Sequence, residues 1–108
     1  MARLPIRSLG ATVLVGVLVA PALSAGVTHR VTMESVDYTP KQLVVKVGDM
    51  VEWVNKDIVA HTATAKDRSW EVNVAAGKAG RRTMLGPGTF AYFCRYHPNM
   101  TAEITVEP

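Results

Sequence analysis

Cysteine and histidine are both scarce in this 108-residue sequence, which has one cysteine and three histidines. A single cysteine excludes a disulfide within the chain. It also excludes any metal centre that needs two bridging cysteines, and three histidines are too few for several imidazole-rich sites in one chain. The five methionines form no methionine-rich run. If the cysteine serves a metal, the chain therefore has donors for one small site.

Excess charge is also largely missing once the first 25 residues are set aside. The formal net charge of the whole chain is +3, from 12 Lys and Arg against 9 Asp and Glu. Removing Arg3 and Arg7 leaves 10 basic residues against the same 9 acidic ones, a net charge of +1. A nearly neutral domain gives no reason to expect a nucleic-acid partner or binding to an anionic membrane.

The first 25 residues have the order of a secretory signal peptide. Arg3 and Arg7 precede an uncharged apolar run from Leu9 to Ala20, and small residues follow from Pro21 to Gly26. We expect cleavage after a residue in the range 22–25, which leaves residues 26–108 as one exported, periplasmic domain with no membrane segment. Retention as a membrane anchor is the alternative, and the small-residue end favours cleavage.

The pattern of the remaining chain predicts short β-strands separated by turns. Apolar and polar residues alternate from Val27 to Glu34 and again from Thr101 to Val106, as in half-buried strands. Turn signals such as Gly48-Asp49 and Gly86-Pro87-Gly88 recur about every 8–12 residues. The pattern predicts an all-β, two-sheet sandwich of seven or eight strands. The eight candidate strands are 27–34, 42–47, 50–55, 58–65, 70–74, 81–85, 89–94 and 101–106.

The segment Cys94 to Met100 places three soft donors at the spacing C-x-x-H-x-x-M. A thiolate, an imidazole and a thioether suit copper better than magnesium or calcium, which prefer oxygen ligands. A second imidazole could come from His61 or from His29. One thiolate and two imidazoles with a weak axial methionine is the ligand set of a blue-copper site, although zinc also fits such donors. Taken singly, Cys94 could be a buried small hydrophobe, His97 a surface residue and Met100 core filler.

Several segments together resemble the cupredoxins, the type 1 blue copper proteins, and most closely the amicyanin and plastocyanin group. The two-residue gaps of the Cys94–Met100 loop resemble amicyanin more than plastocyanin. The similarity covers residues 27–107. The segments that carry it are Tyr38-Thr39-Pro40, Leu43–Asp49, Val51–Asp57, Ala60-His61-Thr62, Gly88–Cys94 and Cys94–Met100.

The resemblance implies a Greek-key β-sandwich that holds one copper ion near one end. It selects His61 rather than His29, so that the implied ligands are His61, Cys94, His97 and Met100. The implied function is electron transfer, not enzymatic catalysis, by a monomer that exchanges electrons with a redox protein such as a cytochrome or a dehydrogenase. A periplasmic copper-binding or copper-delivery protein is the alternative.

Two departures from the family pattern lie beside the implied site. Relatives often carry an asparagine after the first histidine, which ties the two ligand loops together, but this chain has Thr62. Relatives often carry Thr-Pro between the cysteine and the second histidine, whereas this chain has Arg95-Tyr96. Because threonine has a hydroxyl but no amide, we expect a different or weaker tether between the loops.

Overall fold

The computed structural model describes residues 26–108, together with Gly10 and Gly16, and residues 26–108 contain nine β-strands and no helix. The strands are short, from two to seven residues. In chain order they are β1 (Thr28–Met33), β2 (Tyr38–Thr39), β3 (Gln42–Lys46), β4 (Met50–Asn55), β5 (His61–Ala65), β6 (Glu71–Val74), β7 (Ala79–Thr83), β8 (Gly88–Phe93) and β9 (Thr101–Glu107).

The strands form two mixed sheets. One has the order β2-β1-β4-β7 and the other the order β3-β9-β8-β5-β6. The pairs β1–β4 and β3–β9 are parallel, and the remaining neighbours are antiparallel. The second sheet places β5 beside β8, so the start of β5 and the end of β8 lie at one end of the sandwich. The predicted all-β Greek-key sandwich is confirmed.

Side chains from both sheets share one core. Val31, Met33 and Trp53 of the first sheet pack in the same cluster as Tyr92 and Ile104 of the second. The rings of Trp53 and Tyr92 meet edge to face with centroids 6.0 Å apart, a favoured aromatic geometry that joins the two sheets. The alternation predicted for the first and last strands is confirmed at Val31, Met33, Ile104 and Val106, which are buried, whereas Val27 precedes β1 and is 61% exposed.

The strand count exceeds the predicted seven or eight because of β2. The sequence favoured a break at Tyr38-Thr39-Pro40, but the chain reverses through Ser35 and Val36, which have φ of 53° and 56°. Tyr38 and Thr39 then pair with Met33 and Thr32 of β1. Because neither of these left-handed residues is a glycine, the sequence contains no signal for this turn.

Two predicted strands have a boundary that is wrong by two residues or more. The strand expected from Ile58 begins at His61. The Asn55 side chain accepts from the Asp57 amide and donates to the Val59 carbonyl oxygen, within a loop that leaves Ile58 96% exposed. The strand expected over 81–85 covers Ala79–Thr83 instead. Gly80 allows this shift, since a Cβ atom there would lie 2.7 Å from the Cγ1 atom of Val72.

The predicted signal peptide, residues 1–25, lies outside the described residues apart from Gly10 and Gly16. Its cleavage therefore stays a prediction. Within the part of the chain that the structure describes, no helix is long and apolar enough to cross a bilayer.

Candidate metal centre

Three donor side chains meet where β5 begins and β8 ends. The ligand atoms of His61, Cys94 and His97 all lie within 4.8 Å of one another. The Cys94 Sγ atom is 3.6 Å from Nδ1 of His61 and 3.7 Å from Nδ1 of His97. His61 and Cys94 have no exposed surface, whereas His97 is partly exposed.

These separations would allow the three donors to hold one small metal ion together. Metal–sulfur and metal–nitrogen bonds of about 2.0–2.3 Å place trigonal donors about 3.5–4 Å apart. The two measured sulfur–nitrogen distances, 3.6 Å and 3.7 Å, lie within that range. A thiolate with two imidazoles is a soft set suited to copper and, by charge and size, also to zinc.

The spacing of the ligand loop follows from two consecutive turns. The His97 amide donates to the Cys94 carbonyl oxygen at 3.2 Å, and the Met100 amide donates to the His97 carbonyl oxygen at 2.8 Å. Each is a bond between residues three apart, as in a β-turn. The Cys94 amide then donates to the Met100 carbonyl oxygen at 3.0 Å and closes the loop. Met100 is buried in the core directly before β9, in the same loop as Cys94 and His97.

His61 is oriented by a carboxylate that sequence reasoning did not identify. The Oδ2 atom of Asp57 lies 2.7 Å from Nε2 of His61. An ionised carboxylate only accepts hydrogen bonds, so Nε2 donates and the lone pair of Nδ1 faces Cys94. The backbone amides of Ser35 and Val36 donate to the same carboxylate at 2.8 Å and 2.9 Å. The pKa of Asp57 lies below its usual value, chiefly because the Val36 amide donates to its carboxylate and next because the His61 ring does.

Thr62 contacts both the cysteine and the residue after it. Its backbone amide donates to the Cys94 Sγ atom at 3.4 Å, and its Oγ1 atom accepts from the Arg95 amide at 3.0 Å. The hydroxyl of Tyr38 donates to the Thr62 carbonyl oxygen. Burial raises the pKa of Tyr38, so this hydroxyl stays a neutral donor. The expected different tether between the ligand loops is thus a threonine hydroxyl.

His29 lies outside the cluster. Its Nε2 atom is 2.8 Å from the Oδ2 atom of Asp49, at the start of β1. The clustered imidazoles are those of His61 and His97, whereas His29 is a strand residue paired with Asp49.

A family model of the cupredoxin-like domain matches residues 9–106. The chain belongs to the cupredoxin-like family. Family membership together with the thiolate–imidazole donor set supports copper as the cofactor of this cupredoxin, as the sequence predicted.

Two curated relatives are amicyanins. This cupredoxin is 29% identical over 92 residues to amicyanin from Paracoccus denitrificans and 28% identical over 83 residues to amicyanin from Paracoccus versutus. Each match covers 71% of this chain and 63% of the relative, so the chain spans somewhat less than two thirds of their length. The predicted similarity to the amicyanin group is confirmed.

Solved structures show the same fold. An oxidised amicyanin variant superimposes with a TM-score of 0.65 at 26% identity, covering 77% of this chain and 83% of that one. A copper-containing nitrite reductase from Thermus scotoductus superimposes with a TM-score of 0.67 at 30% identity. That match covers 77% of this chain but only 22% of the reductase, so it concerns one part of a larger protein.

Proposed function

We propose that this cupredoxin is a soluble, exported electron carrier with one type 1 copper ion. The observation that carries the proposal is the convergence of the Cys94 sulfur and the Nδ1 atoms of His61 and His97. When bound, copper supplies a one-electron Cu(I)/Cu(II) couple. The similarity to amicyanins supports a redox protein as the partner, and a cytochrome or a dehydrogenase is the class we expect.

Each ligand has a separate role in the proposal. Cys94 would provide the thiolate that bonds most covalently, and His61 and His97 the two imidazoles. Met100 would provide the weak axial thioether that tunes the reduction potential. The amide of Thr62 and the carboxylate of Asp57 would tune the sulfur and the His61 ring from outside the ligand set.

The surface around His97 supports electron exchange with another protein. A depression of about 380 Å³ is lined by His97, its neighbours in the ligand loop and Val36. Tyr96 is 56% exposed and Val36 is 43% exposed beside it. We propose that electrons enter and leave through the partly exposed His97 ring, at this face.

Voltammetry of the copper-loaded protein tests the proposal. We expect a reversible one-electron couple and rapid reduction and re-oxidation by a redox protein, both lost in Cys94→Ser. Cys94→Ser keeps the size of the side chain but replaces the thiolate with a hydroxyl, a far poorer ligand for copper. Copper that passes quickly to a chelator or an apo-acceptor, without a reversible couple, would favour the copper-delivery alternative. Turnover of nitrite would contradict the prediction that the chain is not an enzyme.

Export is a separate part of the proposal. The order of charged, apolar and small residues over 1–25 supports a cleaved signal peptide. The intact mass of the protein from its native compartment should match a chain beginning between Leu23 and Gly26. A full-length mass in the membrane fraction would show that the segment is kept as an anchor.

A further inference from the structure

Thr62, Thr64, Glu71 and Arg95 are linked in a continuous circuit of hydrogen bonds beside the candidate metal centre. The Arg95 amide donates to Thr62 Oγ1 at 3.0 Å, and the two threonine hydroxyls are 2.9 Å apart. Thr64 Oγ1 donates to Glu71 Oε1 at 2.7 Å. The Arg95 guanidinium returns to both oxygens of Glu71, at 3.2 Å and 3.3 Å.

The direction of every bond in the circuit is fixed. A hydroxyl has one proton, and that of Thr64 is donated to the Glu71 carboxylate, so Thr62 must donate to Thr64. Thr62 then accepts from the Arg95 amide. The pKa of Glu71 lies below its usual value, chiefly because Thr64 donates to it, and Arg95 lowers it further. The terminal acceptor is therefore an anion, which polarises the whole chain of donors.

The inner part of this circuit is buried, so its polar groups need hydrogen-bond partners within the protein. Thr62 has no exposed surface, and Thr64 is 2% exposed. Removing the Thr62 hydroxyl would leave the Arg95 amide without its acceptor inside the protein, and an unpaired polar group of that kind is costly. The outer part is accessible, because the side chain of Glu71 is 31% exposed and that of Arg95 is 50% exposed. Two buried hydroxyls thus join Glu71 at the surface to the Arg95 amide in the ligand loop.

We propose that these four residues act as one positioning unit, the Thr–Glu–Arg ring, which holds the Cys94 sulfur against the Thr62 amide. The inference rests on the proposed function, because its effect on copper is exerted through Cys94. The ring holds the peptide group after Cys94, because Thr62 Oγ1 accepts from the Arg95 amide. The Thr62 amide donates to the Cys94 sulfur from the other ligand loop. Two residues absent from the ligand set, Glu71 and Arg95, would thereby influence the metal without touching it.

A hydrogen bond to a bound thiolate lowers its electron donation and so favours the reduced metal. Loosening the ring should weaken that bond and lower the reduction potential. Thr62→Val keeps the shape of the side chain and removes only the hydroxyl. We expect it to speed hydrogen exchange of the Arg95 amide by at least about tenfold and to lower the potential. Thr62→Ser, which restores the hydroxyl, should return both values towards those of the wild type.

A matched control removes a threonine hydroxyl elsewhere in the same sheet. Thr89 and Thr105 face each other with their Oγ1 atoms 3.3 Å apart on β8 and β9, where Thr89 is exposed and Thr105 is half-buried. Thr89→Val should change neither the exchange of the Arg95 amide nor the potential. A tenfold change in the ratio of Cu(I) to Cu(II) affinity corresponds to about 59 mV for a one-electron couple, which voltammetry resolves easily.

A double-mutant cycle tests whether the four residues act as one unit. Glu71→Gln removes the anionic acceptor of the ring at an accessible position. It keeps the proposal testable if Thr62→Val does not fold. Arg81→Gln is its control, because Arg81 pairs with Glu52 at 2.6 Å on the other sheet. The effects of Thr62→Val and Glu71→Gln should be strongly non-additive, whereas those of Thr62→Val and Arg81→Gln should add.

The outcomes separate this inference from the proposed function. Unchanged Arg95 exchange and an unchanged potential in both Thr62→Val and Glu71→Gln would overturn the ring while leaving the copper site intact. Additive effects of the two substitutions would also overturn it. The exchange measurement can be made with zinc in place of copper, so it does not depend on electron transfer. Failure of the wild-type protein to show a one-electron couple would instead contradict the proposed function.

Discussion

The carboxylate of Asp57 lies 2.7 Å from the Nε2 atom of His61, four residues further along the chain. The same carboxylate accepts the amides of Ser35 and Val36, so one side chain orients a candidate ligand and closes the turn between β1 and β2. Carboxylate–histidine pairs of this kind fix the tautomer and raise the basicity of a ligating imidazole.

Asp57→Asn should weaken Cu(II) binding by about 10–100-fold, the usual cost of losing such a partner. It should also raise the reduction potential, because a less basic imidazole stabilises Cu(II) less. Competition with a chelator and voltammetry would measure the two effects. Asp67→Asn is the control, since Asp67 accepts bonds from Ser69 in the turn at the other end of β5. Equal effects of the two substitutions would show that Asp57 has no special relation to the metal.

Tyr38→Phe should lower the free energy of unfolding by about 1–3 kcal/mol, because the buried carbonyl of Thr62 loses its donor. Denaturant unfolding would measure the loss. Tyr96→Phe removes the same hydroxyl from a residue that is 56% exposed, and it should leave stability unchanged. If both variants lose the same stability, the Tyr38 hydroxyl is not a structural donor.

The ionised carboxylate of Asp49 should stabilise the fold, so the free energy of unfolding should fall as acid protonates it. The amide of Lys46, then His29 and the amide of Val27, lower the pKa of Asp49 from 3.8 to about 2. A lowered pKa means that the ionised group stabilises the fold above about pH 3.8 and that this contribution is lost as the pH falls through about 2. The wild type should therefore be more stable than Asp49→Asn at pH 6, and the difference should shrink between about pH 4 and pH 2. A difference that stays constant over that range would contradict this assignment.

His61→Ala should abolish the visible absorption of the oxidised copper protein, and His29→Ala should leave it intact. The reason is that His61 faces the Cys94 sulfur, whereas His29 pairs with Asp49. Absorption spectra of the two variants at equal copper content measure this directly. Loss of colour in His29→Ala with retention in His61→Ala would reverse the choice of histidine.

Local sequence patterns predicted most of the fold. Alternation placed Val31, Met33, Ile104 and Val106 on buried faces. The strand β2 was missed because it pairs with β1 only after the chain reverses through left-handed backbone at Ser35 and Val36. Neither residue type signals such a turn in the sequence.

The outer contacts of the metal centre could not be predicted because strand register determines them. Pairing of Thr64 with Glu71 and of Thr62 with Asn73 in β5 and β6 brings the carboxylate beside the buried hydroxyls. A shift of one residue would turn these side chains to the other face. The contact between Asp57 and the β1–β2 turn likewise joins residues more than 20 positions apart.

The visible spectrum of the oxidised, copper-loaded protein tests the central claim most directly. If Cys94, His61 and His97 bind copper together, one equivalent of Cu(II) should give an intense thiolate-to-copper charge-transfer band and a blue colour. Cys94→Ser should abolish the band, because the hydroxyl is a far poorer electron donor than the thiolate. A wild-type protein that binds one Cu(II) with its thiol unoxidised and yet shows no intense band would contradict the assignment of this site.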